Sequence, residues 1–133
     1  MTLTVKKAGP GIAFISAGFP SPIEDFTELS ISLDKHLIDN PAATFMAYAN
    51  GNSMVRAGIN HNDILIIDRS LDARDGDIVI AILHGEFTVK QLSIKGSDFF
   101  LIPKNPRYSP IKISDDMDFE VWGIVTYSIC KHR

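Results

Sequence analysis

Asn50-Gly51-Asn52-Ser53-Met54 follows an apolar run and has the composition of a tight turn. A serine in such a turn can present its hydroxyl outward while nearby backbone N–H groups converge on an oxygen. Those are the parts of an acyl-transfer nucleophile and its oxyanion hole. The same residues also suit a serine that does no more than cap the next turn. Lys90 stands 37 positions further on, inside Phe87-Thr88-Val89-Lys90-Gln91-Leu92. Strand alternation puts Thr88 and Lys90 on one face of that run and Phe87 and Val89 on the other. At an exposed sheet edge a lysine guards against unwanted pairing. In apolar surroundings its charged form loses solvation, its pKa falls, and the neutral amine can take a serine's proton.

The other candidate groups are weaker. His36 falls on an expected helix, His61 and His84 in turns, and His132 at the C-terminus. None has the spacing of a Ser-His-Asp set or a metal site, so each reads as a surface residue. Asp72, Asp75 and Asp77 lack the ligand spacing and closing glutamate of a calcium loop, so turn and loop roles are expected. No Gly-rich phosphate cradle or zinc Cys/His set occurs, and no cofactor or metal is expected. Cys130 is the single cysteine, which excludes an internal disulfide and fits a reducing, cytoplasmic setting.

The elements that must hold Ser53 and Lys90 read as β. Apolar runs over residues 44–49, 63–68, 77–83, 86–92, 99–102 and 119–129 are bounded by turn residues and rich in Val and Ile. His84-Gly85 between two of them predicts a β-hairpin. Ser32 is expected to cap one short helix over residues 33–39, with Leu33 and Leu37 on one face and Pro41 beyond its end. Short strands at this spacing predict a mainly β fold, a small, strongly bent sheet or partial barrel, preceded by a flexible N-terminal arm.

The chain has 133 residues, 45% of them apolar, enough for one self-sufficient core. Thirteen basic residues against 16 acidic ones give a net charge of −3, which argues against gripping a phosphate backbone directly. Residues 1–17 carry Lys6 and Lys7 and no acid, a local +2; the remainder holds 11 bases and 16 acids, a net of −5. No apolar run approaches the ~20 residues of a membrane helix. The stretch Ile12 to Ile15, broken upstream by Pro10-Gly11, is too short for the core of a signal peptide. The first segment therefore reads either as a frayed terminus or as an extended peptide suited to a protease groove.

Four ordered pieces resemble the LexA/UmuD family of self-cleaving serine proteases, and in particular its UmuD-type members from the bacterial SOS response. They are Ala17-Gly18-Phe19-Pro20-Ser21-Pro22, Gly51-Asn52-Ser53-Met54, Gly76-Asp77-Ile78-Val79 and Glu86-Phe87-Thr88-Val89-Lys90. Pro41-Ala42-Ala43-Thr44 and the segment from Asn105 through Pro110 add to the likeness, which runs from Ser16 onward. The resemblance implies Ser53 as nucleophile, Lys90 as general base, backbone N–H groups of Asn52 and Ser53 as oxyanion donors, and Ala17-Gly18 as the bond cut. Asn52 stands where that pattern has an acidic or small residue. The implied organisation is a removable segment 1–17, an arm with the short helix over 18–43, and a Ser-Lys β domain over 44–133, of the LexA/UmuD C-terminal type. Further implications are stimulation of cutting by the RecA filament on single-stranded DNA and a homodimeric processed form. That form joins a UmuC-type Y-family polymerase that copies damaged templates.

Two other classes compete. A LexA-like or phage repressor needs a DNA-reading module ahead of the cleavage site, and 17 residues are too few to fold a helix-turn-helix. A non-catalytic binding module of the same fold would carry Ser53 and Lys90 as incidental residues. Signal peptidase also uses a Ser-Lys pair but needs a membrane anchor, for which no segment is found.

Overall fold

A computed structural model of the chain describes residues 32–133. The chain divides between Asp39 and Asn40. On the N-terminal side the described residues hold one helix, α1 (Leu33–Leu37). It is shorter than the 33–39 expected, and the Ser32 side chain makes no capping bond. Ile38 is already extended, and Asn40, preceding Pro41, is held outside helical geometry at φ −126° and ψ 80°. No helix among the described residues is long and apolar enough to cross a membrane.

From Asn40 onward a 3₁₀ turn (Pro41–Ala43) leads into seven strands: β1 (Thr44–Tyr48), β2 (Ile64–Asp68), β3 (Ile78–Leu83), β4 (Glu86–Lys95), β5 (Asp98–Ile102), β6 (Ile111–Ile113) and β7 (Phe119–Ile129). They form one antiparallel sheet in the order β1-β2-β7-β3-β4-β5-β6. The mainly β class with one short helix is as expected, and the β3–β4 hairpin turns at His84-Gly85, both with positive φ, in the sense that matches strand twist. β6 is the strand not foreseen. It lies in the proline-rich stretch and pairs with the outer side of β5, Phe99 opposite Ile113.

Alternation along β3 supplies two cores. Ile80 joins Met54, Ile59, Leu65 and Ile67 in one; Val79 and Ala81 join Leu92, Leu101 and Ile124 in the other. Leu65, Ile67, Val79, Leu92 and Leu101 are almost wholly buried, each stabilising the fold by about 1.5–3 kcal/mol. A single sheet with so little helix buries both faces only by coiling. β7 provides the bends: its register shifts against β3 at Trp122 and against β2 at Thr126, one extra residue each time. Between these bulges Gly123 passes Ile67 so closely that an added Cβ would sit 2.6 Å from the Ile67 Cγ2.

Asp68 closes the start of the sheet. Buried at the end of β2, its carboxylate accepts from Asn40 Nδ2 at 2.9 Å, from the Ser70 N–H at 2.8 Å and from the Ser70 hydroxyl. The loop acids behave as expected of turn residues: Asp77 accepts the Arg74 N–H and Asp75 accepts the Ile94 N–H. Because an added Cβ at this distance would force the buried Ile67 side chain to shift, Gly123→Ala is expected to lower stability by about 1–3 kcal/mol, read from urea unfolding of the full chain.

Candidate active site

Ser53 sits in the loop between β1 and β2. Ala49 and Asp63 tie the loop's ends together (Ala49 N to Asp63 O, 2.8 Å), and Met54, 3% exposed, plugs the next residue into the core. Met54 then starts a 3₁₀ turn, Val55–Ala57, and its carbonyl accepts from Ala57 and Ile59. Gly51 has φ +89°, a left-handed conformation that side chains other than glycine adopt with strain. Its N–H donates to Nδ1 of His61 at 3.0 Å. His61 is exposed as expected, yet it also buttresses this turn.

Lys90 lies in the β4 half of the hairpin, with Val79 opposite it on β3. Its half-buried Nζ contacts three oxygens: Ser53 Oγ at 3.1 Å, Thr88 Oγ1 at 2.7 Å and its own neighbour's carbonyl, Val89 O, at 3.0 Å. Thr88 and Lys90, two apart, share a face as alternation requires. No carboxylate lies within 4.0 Å of this amine among the described residues. Burial, with no countercharge, holds the Lys90 ammonium below its ordinary pKa.

The three contacts are chemically unequal. Val89 O can only accept, whereas both hydroxyls can donate or accept. A neutral amine has two N–H donors and one lone pair. Donating to Val89 O and Thr88 Oγ1 leaves the lone pair aimed at Ser53, whose O–H can then donate to it. In the neutral form, which burial favours, geometry thus allows a hydroxyl hydrogen-bonded to an amine whose lone pair is free to take its proton.

The pair lies in a cleft of about 470 Å³. Its lining includes Met46, Ala47, Tyr48 and Ala49 from the β1 side, Phe87 through Lys90 from β4, and Trp122. Trp122, put there by the β7 bulge, meets Phe45 at 5.3 Å and Phe87 at 5.7 Å between ring centroids. Arg69 holds it from behind, its guanidinium 4.4 Å from the ring and its Nε donating to the Trp122 carbonyl. The wall beside the Ser-Lys pair is therefore apolar and firmly placed. Among the described residues β1 forms a sheet edge, with no strand paired to its outer side.

The structure thus brings Asn52, Ser53 and Lys90 together. The backbone N–H groups of Asn52 and Ser53 donate to no protein acceptor among the described residues. Ala17 and Gly18 lie outside the described residues. Thr88, Trp122, Phe45 and Asn105 were not singled out as site residues from sequence. Thr88 alone left a local signal, its two-residue spacing from Lys90.

Comparison with known proteins shows the family of the chain. The Peptidase S24-like family matches residues 10–126. Protein MucA of Salmonella typhimurium is 39% identical over 119 residues, covering 89% of this chain and 81% of its own. Protein SamA, also of Salmonella typhimurium, is 42% identical over 117 residues, covering 88% and 81%. The LexA repressor of Oleidesulfovibrio alaskensis is 35% identical over 118 residues, which are 89% of this chain but 56% of that one. With a family match across most of its length and relatives at these identities, the chain belongs to the Peptidase S24-like family, the LexA/UmuD group of self-cleaving serine proteases whose motifs it carries.

Proposed function

We propose that this chain cuts its own backbone between Ala17 and Gly18, with Ser53 as nucleophile and Lys90 as general base. The observation that carries this reading is the 3.1 Å contact between Lys90 Nζ and Ser53 Oγ, made by an amine whose charge burial disfavours. Neutral Lys90 takes the Ser53 proton as Oγ attacks the Ala17 carbonyl carbon. The oxyanion is met by the N–H groups of Asn52 and Ser53. As the C–N bond breaks, the Lys90 ammonium gives its proton to the departing Gly18 amine, leaving Ala17 esterified to Ser53. Water then hydrolyses the ester, Lys90 accepting its proton and returning one to Ser53 Oγ.

Thr88 and the Val89 carbonyl hold the amine in line throughout. Small residues at Ala17 and Gly18 suit a bond that must approach a backbone oxyanion site closely, and the aromatic wall offers apolar contact to Phe14 or Ile15 upstream. Segment 1–17 is then the removable part. The family likeness supports the wider reading: a RecA filament on single-stranded DNA stimulates cutting, and the product over 18–133 dimerises and joins a UmuC-type polymerase. Removing a +2 segment leaves a −5 product, so contact with DNA through partners fits better than direct binding.

Purified full chain incubated at increasing pH and weighed by mass spectrometry is expected to give one cut, after Ala17. The first-order rate rises with pH through the Lys90 pKa and levels off above it. The sign follows from the shift: a lowered lysine pKa moves the rise to lower pH than an ordinary lysine would give. Ser53→Ala is expected to abolish the cut, and Lys90→Ala to slow it by about 10²–10⁴-fold. A Lys90→Ala chain that cuts at the wild-type rate would remove the proposed base.

Thr88→Val keeps the shape of the side chain but deletes the acceptor at 2.7 Å. It is expected to slow cutting by roughly tenfold or more, with Thr88→Ser close to wild type. Gly18→Glu places bulk and charge at the scissile bond. It is expected to block processing with an unchanged unfolding midpoint, and normal processing of it would mean that a different bond is cut.

A further inference from the structure

The segment after β5 reaches back to the serine turn through groups that never touch Lys90. Asn105 is a buried polar residue, 9% exposed, in the loop between β5 and β6. Its Oδ1 accepts the Arg107 N–H at 2.9 Å, which fixes which way the amide faces. The other end, Nδ2, donates to the carbonyl oxygen of Asn52 at 2.8 Å. From the same loop Tyr108 donates its hydroxyl to Asn52 Oδ1 at 3.1 Å, and the Lys104 carbonyl accepts the Arg56 N–H at 2.8 Å. Asn52 is thus held twice, by backbone and by side chain, from residues more than fifty positions away.

The backbone contact has a directional consequence. The Asn52–Ser53 peptide is planar and trans, so its C=O and N–H point to opposite sides. The oxygen also accepts the Val55 N–H, at 3.4 Å within the turn, and the shorter bond from Asn105 is the one that anchors it from outside; fixing the oxygen fixes the N–H of Ser53 in the reverse direction. That N–H is one of those without a protein acceptor among the described residues, and it belongs to the residue that carries the nucleophilic hydroxyl.

We propose that Asn105 is a positioning residue for cleavage: its side-chain amide, supported by Tyr108 on the Asn52 side chain, orients the Asn52–Ser53 peptide so that the Ser53 N–H is aimed at the oxyanion. The inference rests on the reading of Ser53 and Lys90 as nucleophile and base. Asn105 acts through the peptide and leaves the amine alone, since among the described residues Lys90 Nζ hydrogen-bonds only to Ser53, Thr88 and Val89. Losing Asn105 therefore lowers the rate at every pH without moving the pH at which the rate is half its maximum.

The test measures the pH profile of self-cleavage for the full chain with Asn105→Ala, Asn105→Asp, Tyr108→Phe and Ser53→Ala, alongside thermal unfolding. Asn105→Asp is the variant that keeps size and the acceptor for Arg107 while placing an oxygen against the Asn52 carbonyl. Both Asn105 variants are expected to lose about 10–100-fold of the plateau rate, and Asn105→Ala, which adds no charge, to keep the pH midpoint. Tyr108→Phe is expected to lose less than tenfold. Capture of Ser53 by a fluorophosphonate, which develops charge on the same side, is expected to slow in parallel.

Asn105→Asp cutting at the wild-type rate, while Ser53→Ala does not cut, overturns this inference and leaves the parent reading intact. A lowered plateau with a displaced pH midpoint in Asn105→Ala also overturns it, because Asn105 would then act on Lys90. So does a rate loss matched by a collapse of the unfolding temperature in both Asn105 variants. Cutting by Ser53→Ala overturns the parent reading itself.

Discussion

A half-buried amine facing two hydroxyls and a carbonyl, with no carboxylate in reach among the described residues, is the interaction on which the rest of this structure depends. A lysine paired with an acid would stay charged and could not accept a proton. A lysine on an open edge would be solvated, with the same result. Lys90 avoids both because β4 pairs with β3 at this position and with β5 from Gln91 onward, and because the serine turn and the apolar cleft wall cover it. Desolvation costs the fold some stability whenever Lys90 is charged, and that cost is what lowers its pKa and makes the neutral amine more available than that of an ordinary lysine.

The two halves of the site are held by different means. The lysine side depends on register: Val79 opposite Lys90 and Ile80 opposite Val89 fix where the side chain leaves the sheet, and a one-residue slip would turn it to the other face. The serine side depends on anchors around a turn, with Met54 in the core, His61 on Gly51 and Asn105 on Asn52. Trp122 links the site to the fold as a whole. The β7 bulge that turns its ring into the cleft also lets the sheet coil around two cores. A change in packing at Gly123 is therefore felt at the aromatic wall as well as in the core.

How much of this was legible in the chain depended on distance along it. The β3–β4 hairpin was readable because a two-residue turn and apolar strands lie side by side. The Ser53/Lys90 pairing was readable only as chemistry plus spacing, since nothing local says that a serine turn will fold over a strand 37 positions later. The helix ends at Leu37, with Ile38 already extended; Pro41 accounts only for the non-helical geometry of Asn40 just before it, and the Leu33/Leu37 spacing does not carry the helix further. β6 was hidden among Pro103, Pro106 and Pro110, and its identity as a strand comes from β5. Asn105 and Tyr108 look like ordinary turn residues until Asn52, their partner from across the fold, is in place. The β7 bulges left no trace, because an extra residue in a strand is defined only by what it fails to pair with.

The central claim is that the group whose deprotonation drives cutting is Lys90. Direct titration of its side chain by NMR, in a full-length Ser53→Ala chain that cannot consume itself, tests this most directly when compared with the pH profile of wild-type cleavage. Burial predicts a Lys90 midpoint below the ordinary lysine value of 10.5, matching the midpoint of the cleavage profile to within the small effect of the missing hydroxyl. A Lys90 amine that titrates at or above that value, or a cleavage midpoint that tracks some other group, would contradict it.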